Sequence, residues 1–191
     1  AARSLGLLAN DGVLPLAAGA ARVAVIGPNA DDPMALFGNY SFQNHVAAHF
    51  PDVPHARAAT LLEALRVRLG AERVSFAEGC RILASKGNVS DDRSGIAAAA
   101  ELARGAGVAI VVVGDKAGHF RTGTVGEGSD ADSLALPGVQ GELVEAVKRF
   151  QGRHGLEVDG VIGPATAKAL SVPVAVRAEQ IRLALERPRQ H

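Results

Sequence analysis

A chain of 191 residues is long enough for one full domain or one and a half. Of its residues 48% are apolar, but 36 are alanine and only 4% are aromatic, with no Trp, which excludes the nucleic-acid binders that work by base stacking. Lys plus Arg balance Asp plus Glu at 20 each, so no global field recruits nucleic acid or anionic lipid.

Arg22–Gly27 (RVAVIG) is a short aliphatic run stopped by Gly27-Pro28, which predicts a buried strand. A polar stretch containing Pro and His follows, from Asn29 to Arg57. Thr60–Leu69 predicts a helix with Thr60 as N-cap and Leu61, Leu62, Leu65 and Leu69 on one face. Glu72–Ala77 (ERVSFA) reads as a second strand. Ser94–Gly105 reads as an Ala-rich helix capped by Ser94 and closed by Gly105. Val108–Gly114 (VAIVVVG) is the clearest strand, too short and too branched for a buried helix. Pro137–Val147 predicts a third helix, with Pro137 in its first turn and Leu143, Val144 and Val147 on one face. This alternation predicts an α/β fold with a parallel sheet and flanking helices. Three strands make a truncated sheet, and after Phe150 the pattern changes to short helices and tight turns, a small helical tail. Charge divides at the same place: residues 147–191 carry +4 and residues 1–146 carry −4.

The runs RSLGLLANDGVLPL (3–16), RVAVIGPNADDPMALFGNYSF (22–42) and GEGSDADSLALPGVQGELVEAV (126–147) resemble the C-terminal α/β-sandwich domain of glycoside hydrolase family 3, in its β-glucosidase and β-xylosidase branch. The resemblance spans residues 1–146. It implies a retaining hydrolase of β-linked glucosides or xylosides, in which a (β/α)₈ barrel supplies an Asp nucleophile and a sandwich loop supplies the Glu acid/base. Retaining chemistry needs two carboxyl groups about 5–5.5 Å apart, so this part of such an enzyme brings one of the pair and lacks the other. Glu127, in GEGSD, stands at the acid/base position. The flanking Gly126 and Gly128 allow a tight loop that projects one carboxyl, and Asp115–Ser129 follows the carboxyl end of a strand, where open α/β sheets place their sites. Two departures stand out. Ala131 replaces the Arg of the family's Asp-Arg pair beside Asp130, and Ala9 stands where many relatives have Lys.

Other constellations fail. GPNADD after the first strand lacks the glycines of a dinucleotide loop, and GDKAGHFRTG lacks the phosphate-loop spacing. His45, His49 and His55 lie in an irregular stretch with no cysteine and no helical HExxH, and read as solvated or locally bonded rather than metal-ligating. The single cysteine, Cys80, excludes an internal disulfide and reads as a small buried hydrophobe. No cofactor and no metal site is expected. No apolar run approaches the ~18 residues of a membrane span. The first 20 residues show neither an initiating Met nor a leader, which reads as a piece of a longer protein and leaves the compartment illegible.

Residues 147–170 (VKRFQGRHGLEVDGVIGPATAKAL) resemble the second half of a small three-helix peptidoglycan-binding domain, and 171–189 resemble the connector that precedes the catalytic domain of bacterial L,D-transpeptidases. Asp159-Gly160 is a strong reversal signal, and Phe150, Leu156, Ile162 and Leu170 can form a small cluster. The division expected is therefore 1–146 and 147–191, a chimera. Its leading reading is a glycoside hydrolase fragment carrying Glu127. The alternatives are a non-catalytic peptidoglycan-binding fusion and a nonfunctional remnant.

Overall fold

The computed structural model describes residues 5–10, 14–16, 22–47, 50, 52–54, 56–84, 87–119, 122–129, 131 and 133–153. The elements expected beyond Arg153, together with His49, His55 and Asp130, lie outside these residues. The three aliphatic runs become β1 (Val23–Ile26), β2 (Val74–Ala77) and β3 (Val108–Val111). They form one parallel sheet in the order β2-β1-β3, with Val23 aligned to both Val74 and Val108. Helix α1 (Leu61–Leu69) connects β1 to β2, and α2 (Ile96–Arg104) connects β2 to β3. After β3 the chain returns as α3 (Gln140–Arg153).

Strand β1 is the centre of the sheet and the axis of the core. Its alternating side chains divide between two clusters, as the two-residue period of a strand dictates. Ala24 and Ile26 meet Ala99 and Ala103 of α2 and Val139, Leu143 and Val147 at α3. Val23 and Val25 meet Leu62 of α1 and Val74 of β2. Both faces of β1 are thus covered, which is why it reads as an unbroken apolar run. Strand β3, the clearest from sequence, lies at an edge, and its residues are only partly buried. Alanine on α2 lets its backbone come close to the sheet and to α3: Ala99, Ala100 and Ala103 are buried.

Helix α1 starts where the sequence places it. Thr60 Oγ1 accepts from the Glu63 backbone N–H at 3.0 Å, while the Thr60 N–H donates to Glu63 Oε2 at 2.9 Å, a reciprocal cap. The same hydroxyl donates to Asp31 Oδ1 at 3.0 Å and so ties the helix to the loop after β1. An N-cap of this kind stabilises by about 0.5–2 kcal/mol. Arg57 holds the Glu63 carboxyl below the usual carboxylate range, with the Thr60 backbone bond adding to it.

Three local expectations are corrected. Leu61 lies on the solvent side of α1, because the inward face is set by Leu62, Leu65 and Leu69 at three- and four-residue spacing. Ser94 does not cap α2: Gly95 is the N-cap, and the Ser94 N–H is taken by Asp92 Oδ1 at 2.9 Å. Gly105 does close the helix as expected, with φ −76°. Pro137 stands in a turn before α3, which begins at Gln140.

Cys80 is buried as expected. Burial pushes its thiol up to about 11 from an ordinary 9.0, with Glu78 and Asp92 adding to the shift. The folded chain therefore keeps this proton when the unfolded chain has lost it, and stability falls as pH rises from 9.0 to about 11. Alkylation of Cys80 at pH 8 should be slower than that of an exposed thiol by on the order of 100-fold, since the thiolate is the nucleophile. Labelling at the rate of a free thiol would show that the Cys80 pocket opens readily.

Candidate functional site

All three strands point their carboxyl ends the same way, and the loops after β1 and β3 meet there. Gly27 makes the first exit possible. It has φ +124°, and a Cβ there would run into the Val112 carbonyl oxygen. Strand pairing continues one step beyond β3, with the Val112 N–H donating to Ile26 O at 2.7 Å. Gln140 at the start of α3 clamps Gly114, two residues on: its Oε1 accepts from the Gly114 N–H at 2.9 Å and its Nε2 donates to Gly114 O at 3.1 Å.

The loop from Asp115 to Ser129 folds back on itself. Thr124 N–H donates to Lys116 O at 2.7 Å, Gly118 N–H to Val125 O at 3.1 Å, and Lys116 N–H to Thr124 Oγ1 at 2.9 Å. Lys116 also makes an ion pair with Asp32, which joins this loop to the one after β1. Gly126 and Gly128, at φ +126° and +76°, take the left-handed conformations expected of them. A Cβ on Gly126 would strike the Gly118 carbonyl oxygen and the Asn39 amide. Glycine here is what lets the Glu127 backbone lie against the neighbouring loop.

Glu127 stands at the tip with its side chain 55% exposed. Tyr40 Oη donates to its Oε2 at 3.4 Å, and His119 Nδ1 faces the same oxygen at 3.7 Å. With its amide oriented to satisfy both neighbours, Asn39 donates to Gly118 O at 2.8 Å and accepts from the Glu127 N–H at 3.2 Å. His119 is buried beneath. Its Nε2 is 2.9 Å from Asn39 O and 3.2 Å from His45 Nδ1. The His119 ring packs edge-on to both Tyr40 and His45, with centroids 5.2 and 4.7 Å away.

Glu127 is thus where the sequence places it, on the loop after β3. Its neighbours were not legible. His45, which the sequence groups with His49 and His55, packs on His119, 74 positions away. Among the described residues no group of three or more His, Cys, Asp or Glu could hold a metal ion. A separate cleft of about 430 Å³ opens at the carboxyl ends of β1 and β2, between Asp32, Phe76, Glu78, Arg81 and Lys116. Glu127 does not line it.

Comparison with known proteins gives this geometry its context. The profile of the glycosyl hydrolase family 3 C-terminal domain matches residues 6–154, and that of a peptidoglycan binding domain matches residues 139–170. A β-xylosidase from Formosa agariphila is 32% identical over 152 residues, 78% of this chain and 19% of the relative. Among solved structures, a β-glucosidase involved in saponin metabolism from intestinal bacteria is similar with TM-score 0.63 and 27% identity, over 78% of this chain and 22% of that one. A β-glucosidase from Erythrobacter marinus gives TM-score 0.56 and 26% identity, over 75% of this chain and 20% of that one. The chain spans about a fifth of the length of these relatives. No described helix is long and apolar enough to cross a membrane. A three-stranded parallel sheet with flanking helices, matched to that profile along most of its length, makes this chain a member of the glycosyl hydrolase family 3 C-terminal domain family.

Proposed function

We propose that the chain is the acid/base-bearing part of a retaining glycoside hydrolase acting on β-linked glucosides or xylosides. Glu127 is the acid/base, and a barrel outside these 191 residues supplies the nucleophile. The observation that carries this reading is Glu127 itself: an accessible carboxyl on the loop after β3, fixed by Tyr40 and Asn39 at the open end of the sheet. As acid it protonates the departing glycosidic oxygen, and as base it then activates water. Docking of the barrel over this end would remove Glu127 from solvent. No cofactor is required by such chemistry.

The test is to join the chain to a family barrel bearing the nucleophilic Asp. Hydrolysis of an aryl β-glucoside or β-xyloside should arise in the joined protein, while the chain alone does not exceed the buffer rate. Reproducible turnover by the chain alone, lost in Glu127→Gln, would place a nucleophile within these residues and overturn the reading.

A second reading, a non-catalytic peptidoglycan-binding piece, is favoured by the match at residues 139–170. Part of that match already serves the α/β core, since Val139, Leu143 and Val147 pack against the sheet. Peptidoglycan contact then falls to the residues after α3 and to its outer face. Retention of the chain on insoluble peptidoglycan would support it, and passage through unbound would remove it.

A further inference from the structure

The cleft of about 430 Å³ beside Asp32 and Lys116 has no part in the chemistry of Glu127, and its walls are chemically mixed. All three strands feed it. Asp31 and Asp32 follow β1, Phe76 and Glu78 stand at the end of β2, and Lys116 follows β3. Open α/β sheets bind ligands in the crevice outside these carboxyl ends, and the volume falls in the ~300–1,000 Å³ range of small-molecule sites. The groups on the walls differ in how firmly they are held. One Asp32 oxygen accepts from the Met34 N–H at 2.8 Å and the other pairs with Lys116, so these two are fixed. Asp31 presents one oxygen to the Thr60 hydroxyl at 3.0 Å. Arg81 and Glu78 are looser. They face one another at 3.8 Å, beyond hydrogen-bond distance, with side chains 71% and 50% exposed. A ligand can recruit both without breaking a hydrogen bond between them.

We propose that this cleft binds a small uncharged sugar, at a site separate from Glu127. Three carboxylates, Asp31, Asp32 and Glu78, stand against two cations, Arg81 and Lys116, so the lining carries net negative charge and disfavours an anion. Among the described residues no group of three or more His, Cys, Asp or Glu could hold a metal ion, so the carboxylates are not a cation cage. A sugar hydroxyl both donates and accepts. It can donate to a carboxylate and accept from a guanidinium or ammonium group, and such charge-assisted bonds are about twice as strong as neutral ones. Glu78 beside Arg81 offers an acceptor and a donor side by side, which suits adjacent hydroxyls of a pyranose ring. The C–H face of the ring needs apolar surface, and Phe76 and Leu83 supply it. The site is built wholly from this chain and does not depend on the acid/base reading of Glu127.

Titration of the full chain with D-xylose and with D-glucose, followed by the nitrogen-15 and proton shifts of the backbone amides, tests this. Saturable shifts are expected at Asp31, Asp32, Phe76–Leu83 and Lys116, with a Kd on the order of 1 mM for at least one of the two sugars. Arg81→Ala and Glu78→Gln should each weaken binding by about tenfold or more, the worth of a hydrogen bond to a charged group. Both side chains are exposed and their mutual contact contributes little to stability, so both variants should keep the fold, which an unchanged urea midpoint checks. Glu127→Gln should leave the titration as it is. The acid/base reading can thus fail in the barrel-joined protein while these shifts stand. Shifts confined to Tyr40 and Gly126–Ser129 would overturn the proposal, as would the lack of saturable shifts with either sugar, or equal binding by wild type and both variants. Saturation of the same amides by inorganic phosphate or Ca²⁺, with neither sugar acting, would overturn it too.

Discussion

Glu127→Ala, in a protein that supplies the barrel and its nucleophilic Asp in cis, should lower turnover of glycosides with alkyl leaving groups by about 10²–10⁴-fold. Activated aryl glycosides should lose far less in the first step. An alkoxide is a poor leaving group and needs a proton as the bond breaks, whereas an activated phenolate departs without one. The second step has the opposite requirement. Water must be deprotonated as it attacks the glycosyl-enzyme, so the variant should accumulate that intermediate when fed an activated substrate. A burst of phenolate followed by a slow steady rate is the expected time course. Addition of azide, which attacks without base assistance, should restore the steady rate for activated substrates only. Equal losses for both leaving-group classes, with no burst, would sink the acid/base role.

What the sequence reveals of this molecule follows the range of the interactions involved. The strands were legible because Val23–Ile26 and Val108–Val111 are aliphatic runs whose burial is written locally. The start of α1 was legible because its cap uses Thr60 and Glu63, three residues apart. Ser94 looked equally good as a cap. It does not take that role: its N–H and its hydroxyl both bond Asp92 in the turn before the helix, and the helix starts one residue later, with Gly95 as the N-cap. Glu127 could be singled out from its glycine neighbours and the family resemblance. Its partners could not. Tyr40 lies 87 positions away and reaches Glu127 only because β1 and β3 are adjacent in the sheet. His119 sits in a loop whose sequence carries no signal that it would be buried. Asp32 and Lys116 are likewise paired by topology alone.

Leu143→Ala should destabilise the fold by about 2–5 kcal/mol, the usual cost of emptying a fully buried leucine site. In a chain of this size that corresponds to a fall in Tm of roughly 4–20 °C. Leu143 has no solvent exposure and lies where Gly79 turns with φ +74°, so close that a Cβ on Gly79 would stand 2.7 Å from Leu143 Cδ1. Such tight packing leaves little room for the site to collapse. One turn further along, Val147 is 1% exposed and belongs to the same cluster as Ala24 and Ile26 of β1. Val147→Ala removes two methyl-sized groups, a transfer loss of about 1.6 kcal/mol before any cavity contribution. The two substitutions together address where the front domain ends. Sequence resemblance and charge divide the chain between residues 146 and 147, yet α3 runs without a break to Arg153 and buries Val147 against the sheet. If Val147 is part of the α/β core, both variants lower the midpoint of a single urea transition, Leu143→Ala by the larger amount. If residues from 147 onward form a unit of their own, Val147→Ala leaves the transition of the sheet where it was, and only Leu143→Ala moves it.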